Sequence, residues 1–383
     1  MTSNIKSYFA RRFFDGQQMH ENVVVRLNGQ YIEQIQLNSQ HSDEMLLEGL
    51  LVPGFIDIQV NGGGGVLFNN NPNVATLDTM AAAHLRFGTT SMLPTVITDK
   101  LSIMGQAADA ISEVVAAQHP NIIGVHFEGP HLDLTKRGIH PANCVRPISD
   151  KELAIFTRSD LGNVILTVAP ETVPADIIKE LVDQGIIVCL GHSNASSDIT
   201  LAALAAGAQG FTHLYNAMSP LTSREPGMVG AALSSEQAYC GIIVDHHHVH
   251  PLSVKLAYQC KGAERLILVT DAMAHVGSEL LQLDYQDTVI VRDGNKLTLP
   301  NGTLAGSALD MNSAVKNCHF DLKIVAEDCL KMASSTPAKL LKQQNSLGYL
   351  KPGNVANMLL LDSQLTIQTS WLKGIEQNNN NNH

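Results

Sequence analysis

The sequence is poor in the features that mark several large classes of protein. No run of 18 or more residues is apolar, so no membrane-spanning helix is expected. Basic residues are scarce: 25 Lys and Arg face 36 Asp and Glu, a formal net charge of −11 at pH 7. No Lys/Arg stripe of the kind that neutralises a phosphate backbone is present, so nucleic acid is not an expected partner. The N-terminus, MTSNIKSYFARRFFDGQQ, lacks the apolar core of a signal peptide. Six cysteines are scattered without Cys-x-x-Cys spacing and read as small buried hydrophobes in a reducing compartment. The expected location is therefore the cytoplasm. The glycines Gly62 to Gly65 are not followed by the Lys-Ser/Thr of a P-loop, so a turn explains them at least as well.

What is present is a large apolar fraction, 44% of 383 residues against 16% charged, enough for a substantial core. Apolar, β-branched runs recur through the middle of the chain. They are LLVPGFIDIQVN, GTTSMLPTVIT, NIIGVHFEGP, VILTVAPE, IIVCLGHS, GFTHLYNAM, GIIVDHHHV and LILVTDAM. Between them lie Ala-rich helical stretches such as ATLDTMAAAHLRFG and DITLAALAAGAQG. Near-continuous apolar strands alternating with helices signal a parallel sheet buried on both faces. Eight such units predict an α/β fold of the (β/α)₈ TIM-like barrel type. Both chain ends carry shorter β segments and are expected to form one small domain together. The stretch 280–306, with turn signals at Asp293-Gly294 and Asn301-Gly302, reads as a hairpin excursion after the eighth strand. The final NNNNNH is a low-complexity polar tail expected to be disordered.

In such a barrel, chemistry sits at the carboxyl ends of the strands. Those ends carry Gln59 and Asn61, His126 and Glu128, His192, His213 and Asn216, Asp245 and His248, and Asp271. A lone histidine at a strand end is more often a hydrogen-bonded structural residue. Glu128, His192, His213 and Asp271 together are harder to explain that way. One carboxylate and two imidazoles can supply three ligands to a divalent metal, leaving a place for water, and Asp271 can take that water's proton. In His246-His247-His248-x-His250, adjacent residues on a strand face opposite ways, so one functional histidine is expected there. Lys136-Arg137 and Arg224 lie in loops after the third and sixth strands, and read as readily as solvated residues as binding groups.

The segments PGFIDIQVNGGGG, HFEGPHLDLTKRGIHPANCVR, GHSNAS, FTHLYNAMSPLTSREPG, DHHHVHP, LVTDAM and LAGS, in that order, resemble the N-acetylglucosamine-6-phosphate deacetylases of the amidohydrolase superfamily. The resemblance covers about residues 50–320. It implies a barrel over residues 51–344 and a small β-sandwich domain from residues 1–50 and 345–383. It implies metal-dependent hydrolysis of the acetamide of N-acetyl-D-glucosamine 6-phosphate to glucosamine 6-phosphate and acetate. Glu128, His192 and His213 match the family's metal ligands, Asp271 its general base and acid, and His140 a substrate contact near the reacting amide. Asn216, Ala217, Arg224, His248, Leu304, Ala305 and Gly306 match its sugar-phosphate contacts. Arg224 and His248 are associated with the subunit boundary, which implies a homodimer.

One departure from the wider superfamily stands out. Strand one offers Gln59-x-Asn61 in place of His-x-His, and VILTVAPE lacks a bridging Lys. Carboxamides are poor ligands, so these are vestigial metal-site positions and one divalent ion per subunit is expected, zinc first and iron second. Two rivals are another amidohydrolase acting on a cyclic or acylated amide and a non-catalytic sugar-phosphate-binding barrel. The first leaves GIHPAN and HLYNAM without a role, and the second has no need of the ligands and base.

Overall fold

The computed structural model describes residues 5–377; the polar NNNNNH tail lies outside the described residues. Eight strands are hydrogen-bonded in sequence order: Phe55–Val60, Thr89–Ile97, Gly124–Glu128, Asn163–Val168, Ile187–Leu190, Gly210–Phe211, Tyr239–Ile242 and Leu266–Leu268. Every neighbouring pair is parallel. A further parallel bridge, Val60 with Ala272, joins the first strand to the segment after the eighth and closes the barrel. All nine residues of Thr89–Ile97 are buried, as a strand covered on both faces requires.

The run LLVPGFIDIQVN, expected to be one strand, is two. Met45–Pro53 belongs to the other large sheet, and Phe55–Val60 opens the barrel. Gly54 is the joint: a Cβ there would lie 2.1 Å from Thr90 Oγ1, so only glycine lets the chain pass.

That second sheet has seven strands drawn from both chain ends. Met358–Leu361 pairs with Met45–Pro53, and the sheet runs outward from there to Tyr31–Gln36 on one side and Ile375–Gln377 on the other. It has its own core of Tyr8, Phe13, Val25, Ile32, Met358 and Trp371. Ile32 comes from one edge strand and Trp371 from beside the other, so the sheet curls over itself in sandwich fashion. Trp371 donates its indole N–H to Tyr8 Oη at 3.1 Å, which satisfies the polar end of a buried ring.

The excursion after the eighth strand is a three-stranded antiparallel sheet, Gln282–Tyr285, Thr288–Asp293 and Lys296–Thr298. It packs on Leu67, Ile97, Met273 and Ala274 at the carboxyl end of the barrel. The chain leaving it, Thr303 to Gly306, borders the cavity described next.

Candidate active site

The cavity at the barrel mouth has a volume of about 330 Å³. Its wall takes in Asn61, Glu128, His140, His192, His213, Asn216, Ala217, His248, Asp271, Leu304 and Gly306. Glu128 ends its strand, whereas the strands before His192, His213 and Asp271 stop short of them and the chain turns sharply to aim them inward. His192, His213 and Asp271 have φ of 49°, 31° and 51°, a left-handed conformation that costs a non-glycine residue about 1–3 kcal/mol. Neighbouring backbone bonds hold the turns: Leu214 N–H donates to Gly241 C=O at 2.7 Å, and Asp271 N–H to Gln59 C=O at 3.0 Å.

Three side-chain atoms meet at the centre. His192 Nε2 lies 3.2 Å from Glu128 Oε1, His213 Nε2 lies 3.0 Å from it, and the two nitrogens are 3.0 Å apart. Burial alone would raise the Glu128 pKa, but the His192 and His213 imidazoles at its Oε1 hold it well below the usual carboxylate range. His192 Nδ1 lies 2.8 Å from the Lys136 carbonyl, an acceptor only, so the neutral ring turns an Nε2 lone pair to the centre. The donors fit a divalent cation. Around a tetrahedral ion with bonds of about 2.0–2.1 Å, ligand atoms stand about 3.3 Å apart, close to the spacing seen here.

His140 offers a second donor set, since ligand atoms of Glu128, His140 and His192 also fall within 4.8 Å of one another. Its surroundings give it another task. His140 Nδ1 accepts the Thr98 backbone N–H at 3.2 Å, so the neutral ring carries its proton on Nε2 and is a donor there. Burial and the neighbouring His192 hold its pKa well below the ordinary value, so the ring stays neutral. The Glu128, His192 and His213 set is the better ligand trio on these grounds.

Gln59 and Asn61 act as hydrogen-bond donors in the site. Gln59 Nε2 donates to Glu128 Oε1 at 3.1 Å and to Asp271 Oδ1 at 3.3 Å, while Asn61 Nδ2 donates to the same Asp271 oxygen at 2.6 Å. No hydrogen bond among the described residues reaches Asp271 Oδ2. Burial, with the nearby Glu128 charge, pushes Asp271 up to about 6.

Some sequence candidates lie elsewhere. His126 is a structural residue beneath the site, with Nε2 2.7 Å from Thr167 Oγ1 and Nδ1 3.1 Å from Ile58 O. Of the histidine cluster, His248 lines the cavity, His246 pairs with Asp321, and His250 caps the helix Pro251–Arg265. Ala305 is buried behind the wall formed by Leu304 and Gly306. Arg224 is exposed and stands outside the cavity of its own chain. Lys136, weighed as a loop binding group, does line the wall, which also includes Ile97, Thr135, Gly138, Ile139, Ile243 and Thr303, none of them picked out as site residues. Most are apolar or loop residues whose only signal was a place close to a motif.

Comparisons with known proteins agree with this architecture. A model of the amidohydrolase family matches residues 50–382. The chain is 50% identical to the N-acetylgalactosamine-6-phosphate deacetylase of Shewanella sp. (strain ANA-3), over 86% of this chain and 83% of that protein. The crystal structure of N-acetylglucosamine-6-phosphate deacetylase from Pasteurella multocida superposes with a TM-score of 0.93 at 32% identity, covering 97% of this chain and 99% of that one. A mutant of the Mycobacterium smegmatis N-acetyl-D-glucosamine-6-phosphate deacetylase, in complex with N-acetyl-D-glucosamine-6-phosphate, superposes with a TM-score of 0.91 at 25% identity, again over 97% and 99%.

Proposed function

The chain belongs to the amidohydrolase family, and from that premise we propose that it hydrolyses the acetamide of N-acetyl-D-glucosamine 6-phosphate to glucosamine 6-phosphate and acetate. The observation that carries this reading is the buried trio of Glu128, His192 and His213, mutually within 3.2 Å, facing Asp271 across one cavity.

Glu128, His192 and His213 would hold one divalent ion, zinc in the first instance and iron in the second. When bound, such an ion lowers the pKa of a water and polarises the amide carbonyl. Asp271 accepts the proton of the attacking water at Oδ2, because Gln59 and Asn61 already occupy Oδ1. The same oxygen then returns the proton to the departing nitrogen. His140 donates its Nε2 proton to the oxygen of the carbonyl as negative charge builds there. Asn216, Ala217, His248 and the Leu304–Gly306 backbone take the sugar phosphate, and Arg224 grips phosphate with its planar fork. Since Arg224 is exposed on its own chain, it serves the site of a second copy in a homodimer. The reading takes the cytoplasm as the setting. The reading also treats the curled sheet from both ends, about residues 1–50 and 345–383, as a domain separate from the barrel.

A second reading is favoured by one observation: the relative at 50% identity is named for the galactose epimer. Acetate release should therefore be followed from N-acetylglucosamine 6-phosphate, N-acetylgalactosamine 6-phosphate and unphosphorylated N-acetylglucosamine, with metal content determined on the same sample. The first reading expects fastest release from the glucosamine phosphate, little from the unphosphorylated sugar, and about one metal per chain. Faster release from the galactosamine phosphate would establish the second reading. No release from either, with metal bound, would break both.

A further inference from the structure

Asp245 is a buried carboxylate that the chemistry above does not use. It follows the seventh barrel strand, Tyr239–Ile242, on a segment clamped by Asn317, whose amide donates to Val244 C=O at 2.7 Å, and by the His246–Asp321 pair. Its two oxygens do different work. Oδ1 accepts the backbone N–H groups of His247 and His248, both at 2.8 Å, and so folds the segment into a tight turn. Oδ2 lies 2.6 Å from His248 Nδ1, and the side chains of the pair are only 3% and 7% exposed.

Burial works to raise the Asp245 pKa, but the His248 hydrogen bond and charge and the two N–H groups bring it below the ordinary value, so it is ionised. An ionised carboxylate only accepts, so His248 Nδ1 must carry a proton. The polar atom left on a ring that lines the substrate cavity is Nε2. With the proton held at Nδ1, Nε2 offers the cavity a lone pair, an acceptor for a hydroxyl of the sugar phosphate.

We propose that Asp245 is a positioning residue for substrate binding: by accepting from Nδ1 it holds the His248 proton there, fixes the ring, and turns Nε2 toward the sugar phosphate. The inference rests on the reading of His248 as a substrate contact. It identifies the carboxylate that prepares that contact, on the opposite side of the ring from the ligand.

Asp245→Asn is a selective test. Asparagine keeps an Oδ1 that accepts the two backbone N–H groups, so the turn survives. Its NH₂ replaces Oδ2 and now demands a lone pair at His248 Nδ1, which moves the proton to Nε2 of a neutral ring. The expected result is a KM for the phosphorylated sugar raised about tenfold, with kcat within about threefold and metal content unchanged. The double variant Asp245→Asn/His248→Ala should bind no worse than His248→Ala alone, because Asp245 acts through that ring. Unchanged KM in Asp245→Asn while His248→Ala raises it would overturn the proposal, as would additive losses in the double variant. Unchanged KM in His248→Ala would remove the His248 assignment and this inference together, while acetate release would leave the proposed reaction standing. On the unsubstituted protein, ¹⁵N spectra of labelled histidine should show His248 protonated at Nδ1. A neutral ring protonated only at Nε2 would sink the idea without any variant having to fold.

Discussion

Gln59 and Asn61 show how a neutral side chain can organise two charged neighbours. Neither is a good metal ligand, yet each donates an amide N–H to Asp271, and Gln59 also reaches Glu128. Two buried carboxylates that would repel each other are thereby bridged by a neutral donor. The arrangement leaves one Asp271 oxygen for proton transfer. Asp271→Asn removes that base but keeps an oxygen that can accept the Asn61 and Gln59 bonds. It should lower kcat by about 10³-fold with metal content unchanged, measured by acetate release and elemental analysis on one preparation. Near-normal turnover would eliminate Asp271 as the base.

Helices and loops around the barrel bring histidines into places where they cannot easily charge. His84, on the helix Val74–Leu85, lies 2.8 Å from the Gly62 carbonyl and so ties that helix to the glycine hairpin. Burial pushes His84, His131 and His275 down to about 4 from an ordinary value of 6.5. A base with a depressed folded pKa contributes stability that is present above 6.5 and lost as pH falls toward 4, because the unfolded chain binds the proton first. Asp57 works in the opposite sense: burial raises it to about 7, so its contribution is fullest below 3.8 and fades as pH rises through 7. With His126, also pushed down to about 4, four histidines outweigh Asp57 and Asp271, whose raised pKa values work in the opposite sense. Melting temperatures taken from pH 7.5 down to 4.5 should fall, most steeply below about 6.5. A flat profile would show that these rings are not held neutral.

The described residues form three apolar cores: one in the barrel, one in the curled sheet, and a smaller one under the three-stranded sheet. Arg224 sits exposed on the outside of this assembly, far from the use proposed for it unless a second copy is present. If each site draws Asp271 from one subunit and Arg224 from the other, two inactive variants can repair each other. Arg224→Ala alone should raise KM for the phosphorylated sugar about 10- to 100-fold. Mixing it with Asp271→Asn, after dissociation and reassociation, should restore about a quarter of the normal activity, since half the dimers then hold one intact site. No restoration in a verified mixed dimer would place Arg224 in service of its own chain.

Much of this architecture was legible in the amino-acid order. Apolar β-branched runs spaced by Ala-rich helices specify a parallel barrel because strands buried on both faces cannot alternate polar and apolar residues. Strand ends then identify Glu128, His192, His213 and Asp271, since the barrel delivers those ends to one face. The rest depends on distances that one-dimensional order does not contain. The two chain ends were expected to share a domain, but only the fold set the pairing of Met45–Pro53 with Met358–Leu361 and its register. It also gave His126 its bonds to Thr167 and Ile58, and paired His248, already singled out by the resemblance, with Asp245. Hydrogen bonds reach about 3 Å and have direction, so the task of a polar residue is decided by what folding brings within that reach.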